Sequence, residues 1–188
     1  GMSTTVSIQS VTEIARETLA FDLKRPADFS FKPGQHVDLG IENMEEPDEK
    51  GSVRTLSIVS APDEEMLTFA TRYRDTGFKR MIKQADEMDV SVSIDGPFGN
   101  MTLHSKTERP AVMFAGGVGI TPFISMLRHI RDLDLAYQVR LYYSARTPSD
   151  APFLEELDQL SEELAAFELV LCFTEVNSGE RAKLEKQY

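Results

Sequence analysis

Ala111-Val112-Met113-Phe114-Ala115-Gly116-Gly117-Val118-Gly119-Ile120-Thr121-Pro122 runs an apolar segment straight into a glycine-rich corner and a helix start. Glycine lets a backbone turn tightly and approach a phosphate, while the uncovered amides at the head of the next helix point at an anion. Thr121 is placed to cap that helix, and Pro122 to open it where a missing N–H costs nothing. Phe123, Met126, Leu127 and Ile130 recur at helical spacing, which predicts an amphipathic helix over about 122–132. The third glycine of the usual dinucleotide fingerprint is absent, with Pro122 nearby instead. Glycine corners also occur in α/β proteins that bind nothing, so phosphate binding needs support from elsewhere in the chain.

The alternation continues downstream. Strands are expected at 111–115, 138–144 and 168–174, with helices at about 122–132 and 151–164, the second capped by Asp150. This order implies a parallel sheet with right-handed crossovers. Upstream, Val37, Leu39 and Ile41 alternate, as do Leu67, Phe69, Thr71 and Tyr73, and then Val90, Val92 and Ile94. Turn signals at Lys32-Pro33-Gly34, Ala61-Pro62-Asp63 and Asp95-Gly96-Pro97 suit a small antiparallel barrel. One short helix follows Asp75-Thr76-Gly77, with Phe78, Met81 and Ile82 on one face. The polar stretch Ser105 to Pro110 marks a boundary between a domain over 2–107 and another over 108–188.

At 188 residues and 41% hydrophobic content, the chain has the makeup of an ordinary globular protein. A net charge of −11 argues against a general nucleic-acid binder or attraction to anionic membranes. Apolar runs stop short of a membrane span and no secretion signal opens the chain, so the cytoplasm is the expected compartment. Gly1 before Met2 reads as a tag remnant. Cys172 is the one cysteine, within an apolar run, and reads as a small buried hydrophobe; a four-cysteine cluster is excluded. His36, His104 and His129 show no metal-ligand spacing, so no catalytic metal is expected.

Lys32-Pro33-Gly34-Gln35, Arg54-Thr55-Leu56-Ser57, Gly96-Pro97-Phe98-Gly99 and Gly116-Gly117-Val118-Gly119-Ile120-Thr121-Pro122 occur in that order. Together with Tyr142-Tyr143-Ser144-Ala145-Arg146 and Phe153-Leu154, they resemble the signatures of the ferredoxin:NADP reductase superfamily over about 30–173. The resemblance implies a Greek-key antiparallel β-barrel with one short helix, holding a flavin. A three-layer α/β domain with a parallel sheet would follow, holding NADPH or NADH. FAD is the expected flavin, with FMN as alternative.

By the same resemblance, Arg54 pairs with the flavin pyrophosphate, for which a planar, permanently charged fork is suited. Ser57 stands beside flavin N5 as the catalytic hydroxyl, flanked by Thr55 and by Leu56, where the family usually has a stacking aromatic ring. Strand alternation puts Arg54 and Leu56 opposite Ser57, so one cofactor meets all three only through twist or a strand end. Gly77 and Phe78 offer helix amides to the flavin phosphates, and Gly99 borders the flavin. Lys79, Arg80 and Lys83 read either as a solvated face or as a cofactor or partner contact. Gly117, Gly119, Thr121 and Pro122 form the nucleotide pyrophosphate cradle. Ser144 and Arg146 occupy the corner for the adenosine ribose, where arginine suits a 2′-phosphate or the adenine face, a lean towards NADPH.

The family's nucleotide domain carries further strands and a Cys-Gly-Pro motif that the residues after Val176 do not match, so that domain is expected to be C-terminally incomplete. The expected activity is hydride transfer from NAD(P)H to the flavin, with electrons passed to a ferredoxin, a flavodoxin, an oxygenase component or free flavin. The alternatives are a flavin-binding relay or regulatory module without efficient NAD(P)H turnover, and a protein that keeps only the architecture.

Overall fold

The computed structural model describes residues 4–45 and 47–175. Strands β1 (Thr4–Ala15), β2 (Thr18–Lys24), β3 (His36–Ile41), β4 (Val53–Ser57), β5 (Met66–Arg72) and β6 (Ser91–Phe98) form one antiparallel sheet, ordered β4-β3-β6-β1-β2-β5. β6 returns to lie between β3 and β1, the crossing expected of a Greek key. Alternate residues of β2, β3, β5 and β6, with Ile8 of β1, enter a core that includes Phe21, Leu39, Phe69 and Val92, and α1 (Gly77–Gln84) adds Phe78, Met81 and Ile82. The expected barrel is an open one. β4 and β5 are its two edges, and they meet beyond the end of β4, where the Val59 N–H donates to the Thr68 carbonyl at 2.8 Å.

Strands β7 (Ala111–Gly116), β8 (Val139–Ala145) and β9 (Phe167–Phe173) form a parallel sheet in that order, each within about a residue of its expected place. The crossovers contain α2 (Thr121–Asp132) and α3 (Leu154–Glu163). Both helices pack Ile124, Leu127, Leu157 and Leu160 into one core with Met113, Leu141 and Tyr143. On the other face Phe114 is 70% exposed, its ring stacked on Tyr142 at 5.0 Å. Among the described residues this half therefore has two layers; the expected incomplete end falls on 176–188, outside them. No helix of the described residues is long and apolar enough to cross a membrane.

Two helix starts differ from expectation. A 3₁₀ turn, Gly117–Ile120, leads into α2, so Thr121 already has helical dihedrals, φ −55° and ψ −46°, and cannot adopt the extended geometry of a cap. Asp150 belongs to a second 3₁₀ turn, Pro148–Asp150, where its carboxylate accepts the Thr147 hydroxyl at 2.6 Å. The helix it was expected to cap begins only after Phe153, whose φ is 64°.

The two sheets share a seam. Val59 and Ala70 of the first half belong to the core of the second, because β5 turns Leu67 and Phe69 inward and Ala70 outward. At the seam the fully buried Ser125 hydroxyl donates to the carbonyl of fully buried Ser60 at 2.7 Å. Arg128 on α2 bridges Glu156 of α3 at 2.7 Å and Glu64 of the first half at 3.4 Å. Gly34 stands so close to this region that a Cβ there would lie 2.0 Å from the Met101 carbonyl oxygen. Replacing Ser125 by alanine leaves the Ser60 carbonyl without its buried donor. Urea unfolding should show a loss of about 1–3 kcal/mol; an unchanged midpoint would show that the bond adds nothing.

Candidate functional site

β4 delivers Arg54 to the head of α1. The guanidinium carbon lies 4.6 Å from the centre of the Phe78 ring. Nη1 donates to the Gly51 and Val53 carbonyls at 2.9 and 3.0 Å, while Nη2 donates to Asp48 Oδ2 at 2.7 Å. The same Asp48 oxygen accepts the Phe78 N–H at 2.8 Å, and Oδ1 accepts the Lys50 N–H at 2.8 Å. The Asp48 side chain is 2% exposed and that of Arg54 13%. The Phe78 amide, with Lys50 and Arg54 behind it, holds the Asp48 carboxyl below the usual carboxylate range against the opposing effect of burial.

Thr76 caps α1, its side chain accepting the Lys79 N–H at 3.3 Å. The Lys79 ammonium donates to the Thr71 hydroxyl and to the Arg72 carbonyl. Burial, followed by the charges of Arg54, Lys50 and Arg74, pushes its pKa down to about 8. A helix head with Arg54 and Lys79 beside it, and one carboxylate seated on its amide, has the donors and charge a phosphate group needs.

Thr55 and Ser57 occupy the other face of β4. The Thr55 hydroxyl donates to Asp38 at 2.6 Å, and Ser57 pairs across the ladder with His36. Gly99 lies beside His36, where a Cβ would stand 3.0 Å from Nδ1. Leu56 packs, partly buried, on the first core. The structure keeps the strand alternation: Arg54 and Leu56 share one face, Thr55 and Ser57 the other.

The glycine corner is held from beneath. Tyr143, 1% exposed, directs its hydroxyl to the Gly117 and Pro152 carbonyls at 3.2 and 2.8 Å, and burial pushes its phenol well above the usual range. Gly117 has φ +54°, while a Cβ at Gly119 would meet nothing within 4 Å. Thr121 and Pro122 are buried at the head of α2. The corner borders a cleft shared with Arg16, Arg72 and Arg146. Ser144 lies near the end of β8, and Arg146, just beyond it, is 68% exposed and donates through Nε and Nη2 to Glu175 at 2.9 and 2.8 Å.

The expected residues therefore fall into three groups. Arg54, Gly77 and Phe78 meet at α1; Thr55, Leu56, Ser57 and Gly99 lie along β4 and its neighbours, with Leu56 turned to the first core; Gly117, Gly119, Thr121, Pro122, Ser144 and Arg146 surround the glycine corner. Sequence reasoning misses Asp48, Lys50, Arg16, Arg72 and the support from Tyr143. Asp48 alone leaves a signal, since Pro47-Asp48 with Gly51 following is a turn pattern whose aspartate bonds the backbone two residues on, as the Lys50 amide shows.

The family model of the oxidoreductase NAD-binding domain matches residues 113–187. The reductase component of propane 2-monooxygenase from Mycolicibacterium smegmatis is 31% identical, covering 92% of this chain and 49% of its own length. The electron transfer component of 2-halobenzoate 1,2-dioxygenase from Burkholderia cepacia is 32% identical, covering 91% of this chain and 48% of its own. The chain thus spans about half the length of these curated relatives. A ferredoxin NADP⁺ reductase from Neisseria gonorrhoeae, solved with bound FAD and NADP, superposes with a TM-score of 0.75 at 25% identity, over 98% of this chain and 76% of that one. With its open antiparallel sheet, its parallel sheet and the glycine corner between β7 and α2, the chain belongs to the ferredoxin:NADP reductase superfamily.

Proposed function

We propose that this chain is the flavin- and nicotinamide-binding part of an NAD(P)H-dependent reductase, with the flavin on residues 2–107 and the nucleotide on 108–188. The supporting observation is the head of α1, where Arg54 and the Phe78 amide converge on one anion with Lys79 beside them. A bound flavin supplies the redox chemistry, accepting a hydride from reduced nicotinamide and releasing the electrons to an acceptor. FAD is favoured over FMN. The names of the curated relatives favour an oxygenase component as acceptor over a ferredoxin, a flavodoxin or free flavin.

In this reading Arg54 and the amides of Gly77 and Phe78 bind the flavin phosphates. Ser57 offers a hydroxyl to flavin N5, and Thr55, Leu56 and Gly99 border the cofactor. The corner from Gly117 to Pro122 takes the nucleotide pyrophosphate, with Gly119 leaving room for it and Tyr143 fixing the corner's carbonyl. Arg146 suits the 2′-phosphate of NADPH, while the carboxylate it holds, Glu175, suits the ribose hydroxyls of NADH equally.

A purified chain that neither carries nor takes up flavin overturns this function. Arg54→Ala should weaken flavin binding by about 1.5–3 kcal/mol through loss of a charge-assisted bond, and an unchanged affinity, read by flavin fluorescence, would move the site elsewhere. An anion beside Lys79 favours its protonated form, so binding takes up a proton where free Lys79 has lost one. Flavin affinity should therefore fall as pH rises above about 8, and titration of Lys79→Met should flatten that slope. A Cβ at Gly119 meets no protein atom within 4 Å, so Gly119→Val should bind flavin like the parent yet be reduced far more slowly by NADPH or NADH in stopped flow. Reduction at the parent's rate would remove the corner from the nucleotide site.

A further inference from the structure

Asp48 is the anion at the head of α1, and every bond that it makes there is one a phosphate oxygen could accept. Oδ2 takes both the Arg54 Nη2 donor and the Phe78 amide, and Oδ1 takes the Lys50 amide of its own turn. Arg54 has an anchor apart from Asp48, since Nη1 also rests on the Val53 carbonyl of its own strand. The guanidinium therefore keeps its place when Nη2 changes partner. The turn bearing Asp48 lies in the connection between β3 and β4, closed by the Gly51 N–H donating to the Asp48 carbonyl at 3.0 Å. Lys79, held by the Thr71 hydroxyl and the Arg72 carbonyl, brings a further positive charge to the same helix head.

We infer that Asp48 is an internal stand-in for a cofactor phosphate: it fills the anion seat formed by Arg54 and the Phe78 amide, and flavin enters by displacing it. This rests on the flavin reading above and adds to it a residue that sets how readily the chain is loaded. Exchange of a single carboxylate for a doubly charged pyrophosphate compensates Arg54 and Lys79 together better, so the exchange favours phosphorylated flavins and gives no advantage to riboflavin. Because the competing carboxylate is tethered, it acts at a high effective concentration without any added ligand.

The test compares the parent chain with Asp48→Asn, titrated by FAD, riboflavin and inorganic pyrophosphate. Asp48→Asn should bind FAD and pyrophosphate at least tenfold more tightly, with riboflavin unchanged. FAD and pyrophosphate affinities that stay equal or fall in a folded Asp48→Asn overturn the proposal and make Asp48 a positioning residue for Arg54. Nitrogen-15 spectra of the parent chain give a readout that needs no variant. Saturating pyrophosphate should shift both the Phe78 and Lys50 amides, because Lys50 loses its carboxylate, and an unmoved Lys50 amide at saturation overturns the displacement. If neither protein takes up flavin while Asp48→Asn gains pyrophosphate, the flavin reading falls and the stand-in survives. If flavin binds both equally, the reverse holds, and if neither ligand binds either protein, both fall.

Discussion

The bond from the Ser125 hydroxyl to the Ser60 carbonyl marks the constraint on which the arrangement depends: one strand, β5, serves two cores. Its Leu67 and Phe69 face the antiparallel sheet, and its Ala70 faces the helices of the parallel one. The outward residues must be small for α2 to approach, and a polar backbone buried at such a seam must find a donor. Ser125 supplies it. The Arg16 amide donates to the Ser149 carbonyl at 2.8 Å from the same side, so the β1–β2 turn is fixed beside the glycine corner. Two halves that touched only at the surface would be free to move against one another; these are joined through packed side chains.

Electrostatics follows the same logic of place over total. The chain is strongly acidic overall, yet its arginines and lysines gather at α1 and along the cleft beside the glycine corner. Exposed pairs such as Arg140 with Glu168 are screened by salt and contribute little. The pair of Arg54 and Asp48 is shielded from water, hydrogen-bonded on both sides and tied to a helix amide. Its two charges act on Lys79 in opposite directions, while burial is the main cause that lowers the Lys79 pKa.

Legibility in the sequence tracks how local each determinant is. β7, β8 and β9 are short apolar runs between loops, and their places read off directly. β2 alternates as plainly through Leu19, Phe21 and Leu23. β1 does not: it pairs with β6 over its first half and with β2 over its second, breaking register at Ser10 and Ala15, so only Ile8 is fully buried and no period survives. The caps at Thr121 and Asp150 misread because 3₁₀ turns, which lack a composition of their own, precede both helices. Arg54 is recognisable from its motif. Its partner six residues earlier is legible as a turn residue only, since the bond to the Phe78 amide joins positions thirty residues apart.

Two glycines answer to different masters. At Gly34 the backbone sits at φ +101° with the Met101 carbonyl where a Cβ would go, so folding itself forbids any other residue. At Gly119 nothing occupies that space. A library selected only for soluble, folded protein should hold position 34 invariant and let position 119 drift. Whatever pressure keeps glycine at 119 in a working lineage would come from a molecule that visits the corner and leaves.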